Sequence, residues 1–191
     1  MTKQRLEAFS DGVIAILITI MVLELHAPAG GDLASMRPLV PALLSYLLSF
    51  IYLGIYWSNH HHMLHAARHV SGGVLWANLH LLFWLSLVPF MTRWIGEHYT
   101  SAVPTAIYGV VLFFAAVAYT ILQSRIIAVD GNESVLARAV QKDRKGKLSL
   151  VLYASAVGLA FVNPWISDLI YVAVALIWLV PDRRFEKLVH E

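Results

Sequence analysis

Six apolar stretches, each closed by proline, glycine or a polar cluster, dictate most of what this chain can become. A helix needs about 20 mainly apolar residues to cross a bilayer, and the stretches at 9–25, 39–63, 74–95, 104–127, 148–162 and 166–180 approach that length. The breaks between them are Pro28 with Gly30 and Gly31, the histidine run at 60–62, a polar segment at 130–147, Asn163 with Pro164, and Pro181. Of the 191 residues 59% are hydrophobic and only 14% are charged, where a soluble domain carries about 25% charge. The expected fold is therefore an all-α membrane protein with six transmembrane helices in a single domain, 1–191. Lys3 and Arg5 ahead of the first apolar run resemble a signal peptide, but no small-residue cleavage site follows Glu24-Leu25-His26, so that run is expected to be retained.

Charge sets the expected orientation. With the N-terminus cytoplasmic, all the Lys and Arg except Arg37 and Arg93 fall on the cytoplasmic side, as the positive-inside rule requires. Both termini are then inside a multi-pass protein of the cell membrane. The basic residues of 130–147 are suited to lipid headgroups, and that segment is expected to be a helix or ordered loop at the cytoplasmic surface. A net charge of +2 argues against nucleic acid as a partner. The absence of cysteine excludes disulfides and thiolate metal sites.

Catalytic patterns are missing: there is no H-E-x-x-H, G-x-S-x-G, phosphate-binding glycine loop or carboxylate pair at helical spacing within a span. No enzyme, and no cofactor, is expected. The T-V-G-Y-G filter and an Arg-rich voltage-sensing helix are also absent. No internal repeat recurs near residues 90 to 100, which argues against an inverted-repeat transporter. On a helical wheel of the first span, Arg5, Phe9, Gly12, Ile16, Ile20 and Leu23 share a stripe with Thr19 on its flank, while Ser10 and Asp11 lie more than a right angle away. Asp11 has two readings: a functional carboxylate inside a membrane segment, or an interfacial one suited to the helix dipole.

The string R-L-E-A-F-S-D-G-V-I-A-I at 5–16 resembles the R-x-x-x-F-S-D signature of the transmembrane protein 175 family, the lysosomal potassium channels of animals and their shorter prokaryotic homologues. Trp57-Ser58-Asn59-His60-His61 is similar to that family's W-x-x-H-H at the end of the second helix. Ala77-Asn78-Leu79, with Leu87-Val88-Pro89-Phe90 and Thr92, is similar to its third helix. The specific likeness covers 5 to about 95.

This resemblance implies a homotetramer of six-helix subunits in which the first helix lines the pore and its hydrophobic side chains form the constriction in place of a carbonyl filter. Carried over by position, Ile16 would form the first ring, with Thr19, Ile20 and Leu23 beyond it. A network around the motif would comprise Arg5, Phe9, Ser10, Asp11, Trp57, His60, His61 and Asn78, in which Ser10 and Asp11 bond to His60 or His61 and to Asn78. Potassium ions and membrane lipids are the implied partners. Two other readings of the chain remain open, a proton-coupled cation transporter using Asp11 and the histidines, and a non-conducting membrane scaffold.

Some residues fall outside this pattern. His80 stands where an apolar residue is expected, and either joins the network or packs. His61, His65 and His69 recur every four residues, the spacing of a metal set, but no carboxylate or cysteine completes it and no metal is expected. Glu24 is either a cation-attracting group at the outer mouth or a solvated helix end. Thr19 either offers its oxygen to an ion or bonds the backbone four residues back.

Overall fold

A computed structural model describes residues 2–140 and 143–179. Among them the chain is helical throughout its ordered elements, with no strand. The first span is α1, Lys3–Leu23, preceded by an extended Thr2 and ended at Glu24. The loop that follows, with its paired glycines, gives way to a 3-10 helix at Leu33–Leu39 whose first turn is capped by Asp32 accepting from Ser35 N over 3.0 Å. Helix α2, Val40–Ala66, starts directly from it with Pro41 in the first turn, where a missing N–H costs nothing.

The third expected span is two helices, α3 at Gly72–Ser86 and α4 at Val88–Glu97. Ser71 caps α3 by accepting from Val74 N over 3.3 Å. The break at Leu87 has a covalent cause: Pro89 has no N–H to donate to the carbonyl four residues back, so the helical ladder is interrupted and restarts with Pro89 in the first turn of α4. Helix α5, Ala102–Asp130, is followed by Gly131 at φ 92°, a left-handed conformation that glycine adopts without strain. The polar segment contains the short α6, Val135–Val140. Asp143 then caps α7, Arg144–Leu159, by accepting from Gly146 N over 2.8 Å. The last helix described is α8, Pro164–Leu179.

Among the described residues four spans are long and apolar enough to cross a membrane: α1, the 3-10 helix with α2, α3 with α4, and α5. Helices α7 and α8 have 16 residues each, short of the usual length. The expected end of the last span, Val180, lies outside the described residues, as do Pro181 and the rest of the C-terminal segment.

Helix α5 is the pillar of the fold, packed against α3, α4, α7 and α8. Its buried face carries Ala106, Gly109, Ala115 and Ala118, small residues that let helix backbones approach. At Gly109 the fit is complete: an added Cβ would run into the Tyr171 hydroxyl, which donates to Thr105 O over 3.0 Å. Helix α1 packs on one flank of this core, against α2, α3 and α4.

Candidate pore-lining helix and its anchor

Helix α1 has two faces. Leu6, Ser10, Ile14, Leu17 and Met21 recur at steps of three and four and are buried, so Ser10 lies in the middle of an apolar seam with none of its surface exposed. A hydroxyl in such a place must be satisfied by protein groups. Ser10 Oγ donates to Leu6 O over 2.9 Å and accepts from Asn78 Nδ2 over 3.0 Å. The other amide atom, Asn78 Oδ1, lies 2.7 Å from His60 Nε2. Because that oxygen can only accept, His60 carries its proton on Nε2. All three side chains are buried, and they join α1, α3 and α2 in one chain of bonds.

Asp11 takes a separate route to α2: Trp57 Nε1 donates to its Oδ1 over 3.0 Å. Trp57 stacks on His61 and His61 on His65, each pair with centroids 6.2 Å apart. Of the two histidines suggested by the sequence, His60 meets Asn78, while His61, one residue further round α2, faces outward. Arg5 and Phe9 are exposed too, and among the described residues Arg5 makes no hydrogen bond or ion pair. Both belong to the stripe opposite the seam, so within one subunit they do not reach the bonded set.

That opposite stripe is uncovered along its length. Ile16 is 61% exposed, Ile20 41% and Leu23 78%, with Thr19 exposed between them. Thr19 Oγ1 lies 3.1 Å from Ala15 O and 3.0 Å from Ile16 O. Its proton therefore goes to the backbone, and its lone pairs remain on the exposed side.

The remaining candidates separate. His80 accepts from Trp84 Nε1 over 3.0 Å and belongs to an aromatic cluster in which Trp84 stacks on Phe114. It is not bonded to Ser10 or Asn78. The His61, His65, His69 series is interrupted because α2 ends at Ala66. His69 turns instead to Asp130 at the end of α5, which accepts from Arg68 N over 2.7 Å, from His69 N over 3.1 Å, and lies 3.2 Å from His69 Nδ1. Among the described residues no group of three potential ligands converges on a metal position. Glu24 is bound to Arg93 over 2.9 Å.

Two features were not visible in the sequence. Thr92 Oγ1 lies 2.6 Å from Ser49 Oγ, which lies 2.9 Å from Tyr108 OH, so a chain of buried hydroxyls ties α4, α2 and α5. Lys3 Nζ donates to His65 O over 2.6 Å, fixing the start of α1 to the end of α2. Ser49 within the apolar run of α2 and Thr92 in the third span were the available signals for the first.

Residues 5–89 match the family model described as Endosomal/lysosomal potassium channel TMEM175. A protein of a Chryseobacterium species, named a potassium channel, is 51% identical over 191 residues, the whole of both chains. The chain belongs to the TMEM175 family. A second relative named a potassium channel, from Streptomyces collinus, is 32% identical over 83% of this chain and 82% of its own. The human endosomal/lysosomal proton channel TMEM175 is 32% identical over 96 residues, which is 44% of this chain and 19% of that protein. The crystal structure of a lysosomal potassium-selective channel TMEM175 homologue from Chamaesiphon minutus superposes with a TM-score of 0.81 and 26% identity, over 94% of this chain and 97% of that one. The TMEM175 match takes in α1, α2 and α3, and thus every member of the Ser10, Asn78, His60 chain and the Asp11, Trp57 pair.

Proposed function

We propose that this protein is a potassium-selective channel of the cell membrane, built from four copies whose α1 helices surround the ion path. The observation that carries this reading is the division of α1: one face is fastened by Ser10 and Asp11 into α2 and α3, and the face of Ile16, Thr19, Ile20 and Leu23 is left uncovered. Relatives named as potassium channels over their full or nearly full length support it. Each copy crosses the membrane six times, α3 and α4 forming one crossing and the short α7 and α8 the last two, with both termini cytoplasmic.

In this reading a ring of Ile16, with Ile20 and Leu23 beyond, replaces a carbonyl filter. A narrow apolar ring offers an ion no substitute for its hydration shell and closes by dewetting. Potassium passes more readily than sodium because it holds its water less tightly. Thr19 supplies the oxygens on that face of the helix. Channels reconstituted in liposomes are expected to pass potassium faster than sodium, and Ile16→Asn to alter that ratio. Well-folded tetramers without cation flux would contradict the proposal. Saturating flux that needs a proton gradient and is lost in Asp11→Asn with assembly intact would replace it with a proton-coupled transporter. A monomer in mild detergent would point to a non-conducting scaffold.

A further inference from the structure

Two carboxylates stand where a helix dipole disfavours them. Glu24 directly follows α1 and Glu97 is the last residue of α4, each at a C-terminal end that carries partial negative charge. One guanidinium serves both: Arg93 Nη1 donates to Glu24 Oε2 over 2.9 Å, and Nε donates to Glu97 Oε1 over 3.0 Å. The bond to Glu97 stays within α4, whereas the bond to Glu24 spans 69 residues and joins α4 to the outer end of α1.

Helix α4 is a firm post for such a tie. A Cβ added at Gly96 would lie 2.9 Å from Ala42 Cα, so the backbones of α4 and α2 touch there, and Thr92 is locked to Ser49. The end of α1 reaches this post through Met21, whose Sδ lies 3.8 Å from Thr92 Oγ1, and through Glu24. Glu24 comes immediately after Leu23 and one turn after Ile20. Ile20, Glu24 and Arg93 line one open groove of about 620 Å³.

We infer that Arg93 is a positioning residue for the pore: by holding Glu24 it sets where the outer end of α1 places Ile20 and Leu23. The inference rests on the channel reading above. The three side chains are partly exposed, so the tie is of the strength of a surface ion pair, and its loss is expected to change flux about two- to five-fold.

The chain, free of cysteine, allows a direct test with Leu23→Cys as background, reading both the rate of modification by a thiol reagent and the potassium flux in liposomes. Glu24→Gln and Arg93→Gln are expected to speed modification and to shift flux in the same direction. Glu97→Gln, which changes charge as Glu24→Gln does but leaves α1 tied, is expected to have less than half that effect. Exchanging the charges, Glu24→Arg with Arg93→Glu, is expected to bring both readouts back toward the parent. Flux shifts of opposite sign for Glu24→Gln and Arg93→Gln would mean that only surface charge at the mouth matters, and would overturn the inference. Unchanged modification rates would overturn it as well. The modification rates test the tie even if the parent passes no potassium, a result that would count against the channel reading alone.

Discussion

Asn78 donates from Nδ2 to Ser10 Oγ over 3.0 Å at a point where neither residue is exposed, and its Oδ1 meets His60 Nε2 over 2.7 Å. One side chain of α3 therefore holds both α1 and α2. Replacing it by the similarly sized Asn78→Leu leaves His60 Nε2 and Ser10 Oγ without their partner. A loss of about 1–3 kcal/mol is expected, read as a lower midpoint of thermal unfolding in detergent. Ser10→Ala, which removes one bond between helices together with the local bond to Leu6 O and keeps the Asn78 and His60 pair, is expected to cost less, about 0.6 kcal/mol being usual for a bond between membrane helices.

Gly96→Ala is expected to destabilise by about 1–3 kcal/mol, the usual cost of overpacking. The new Cβ would meet backbone, the Ala42 Cα at 2.9 Å, and backbone cannot swing aside as a side chain can. Thermal unfolding of the reconstituted protein checks this.

Asp130 is fixed at the end of α5 with 1% of its side chain exposed, and its two oxygens accept the Arg68 and His69 amides. Asp130→Ala is expected to free the connection between α2 and α3 at a cost of about 1–3 kcal/mol. Hydrogen exchange at the amides of 68 and 69 should rise in the variant, with α1 unchanged.

Thr19→Val removes a hydroxyl without changing shape. Its bonds to Ala15 O and Ile16 O are local to α1 and add little to the fold, so stability is expected to stay within about 0.5 kcal/mol. A fall in potassium flux at unchanged stability would identify the Thr19 oxygen as a group the ion meets. Unchanged flux would leave it as a backbone-bonding hydroxyl.

The division of α1 was legible in the sequence because a helical period fixes which residues share a face: Ser10 fell on one side and Ile16 and Ile20 on the other. The wheel does not show which neighbour each face meets, so His60 and His61 stood as equal candidates until packing chose between them. The helix break at Leu87 was harder to foresee. Pro89 was visible, but whether a proline kinks a span or simply begins a helix depends on which carbonyl loses its donor. Contacts such as Glu24 with Arg93 and His69 with Asp130 join residues more than 60 positions apart. No local pattern encodes them, and they become visible only once α4 and α5 have packed.

The most direct test of the pore is Ile16→Cys in the otherwise cysteine-free chain, with potassium flux followed before and after a thiol reagent. If four Ile16 side chains face the ion path, modification is expected to stop the flux by at least about tenfold, since four added groups would crowd a ring that already excludes water. Complete modification with potassium flux unchanged would place Ile16 away from the ion and contradict a pore lined by α1.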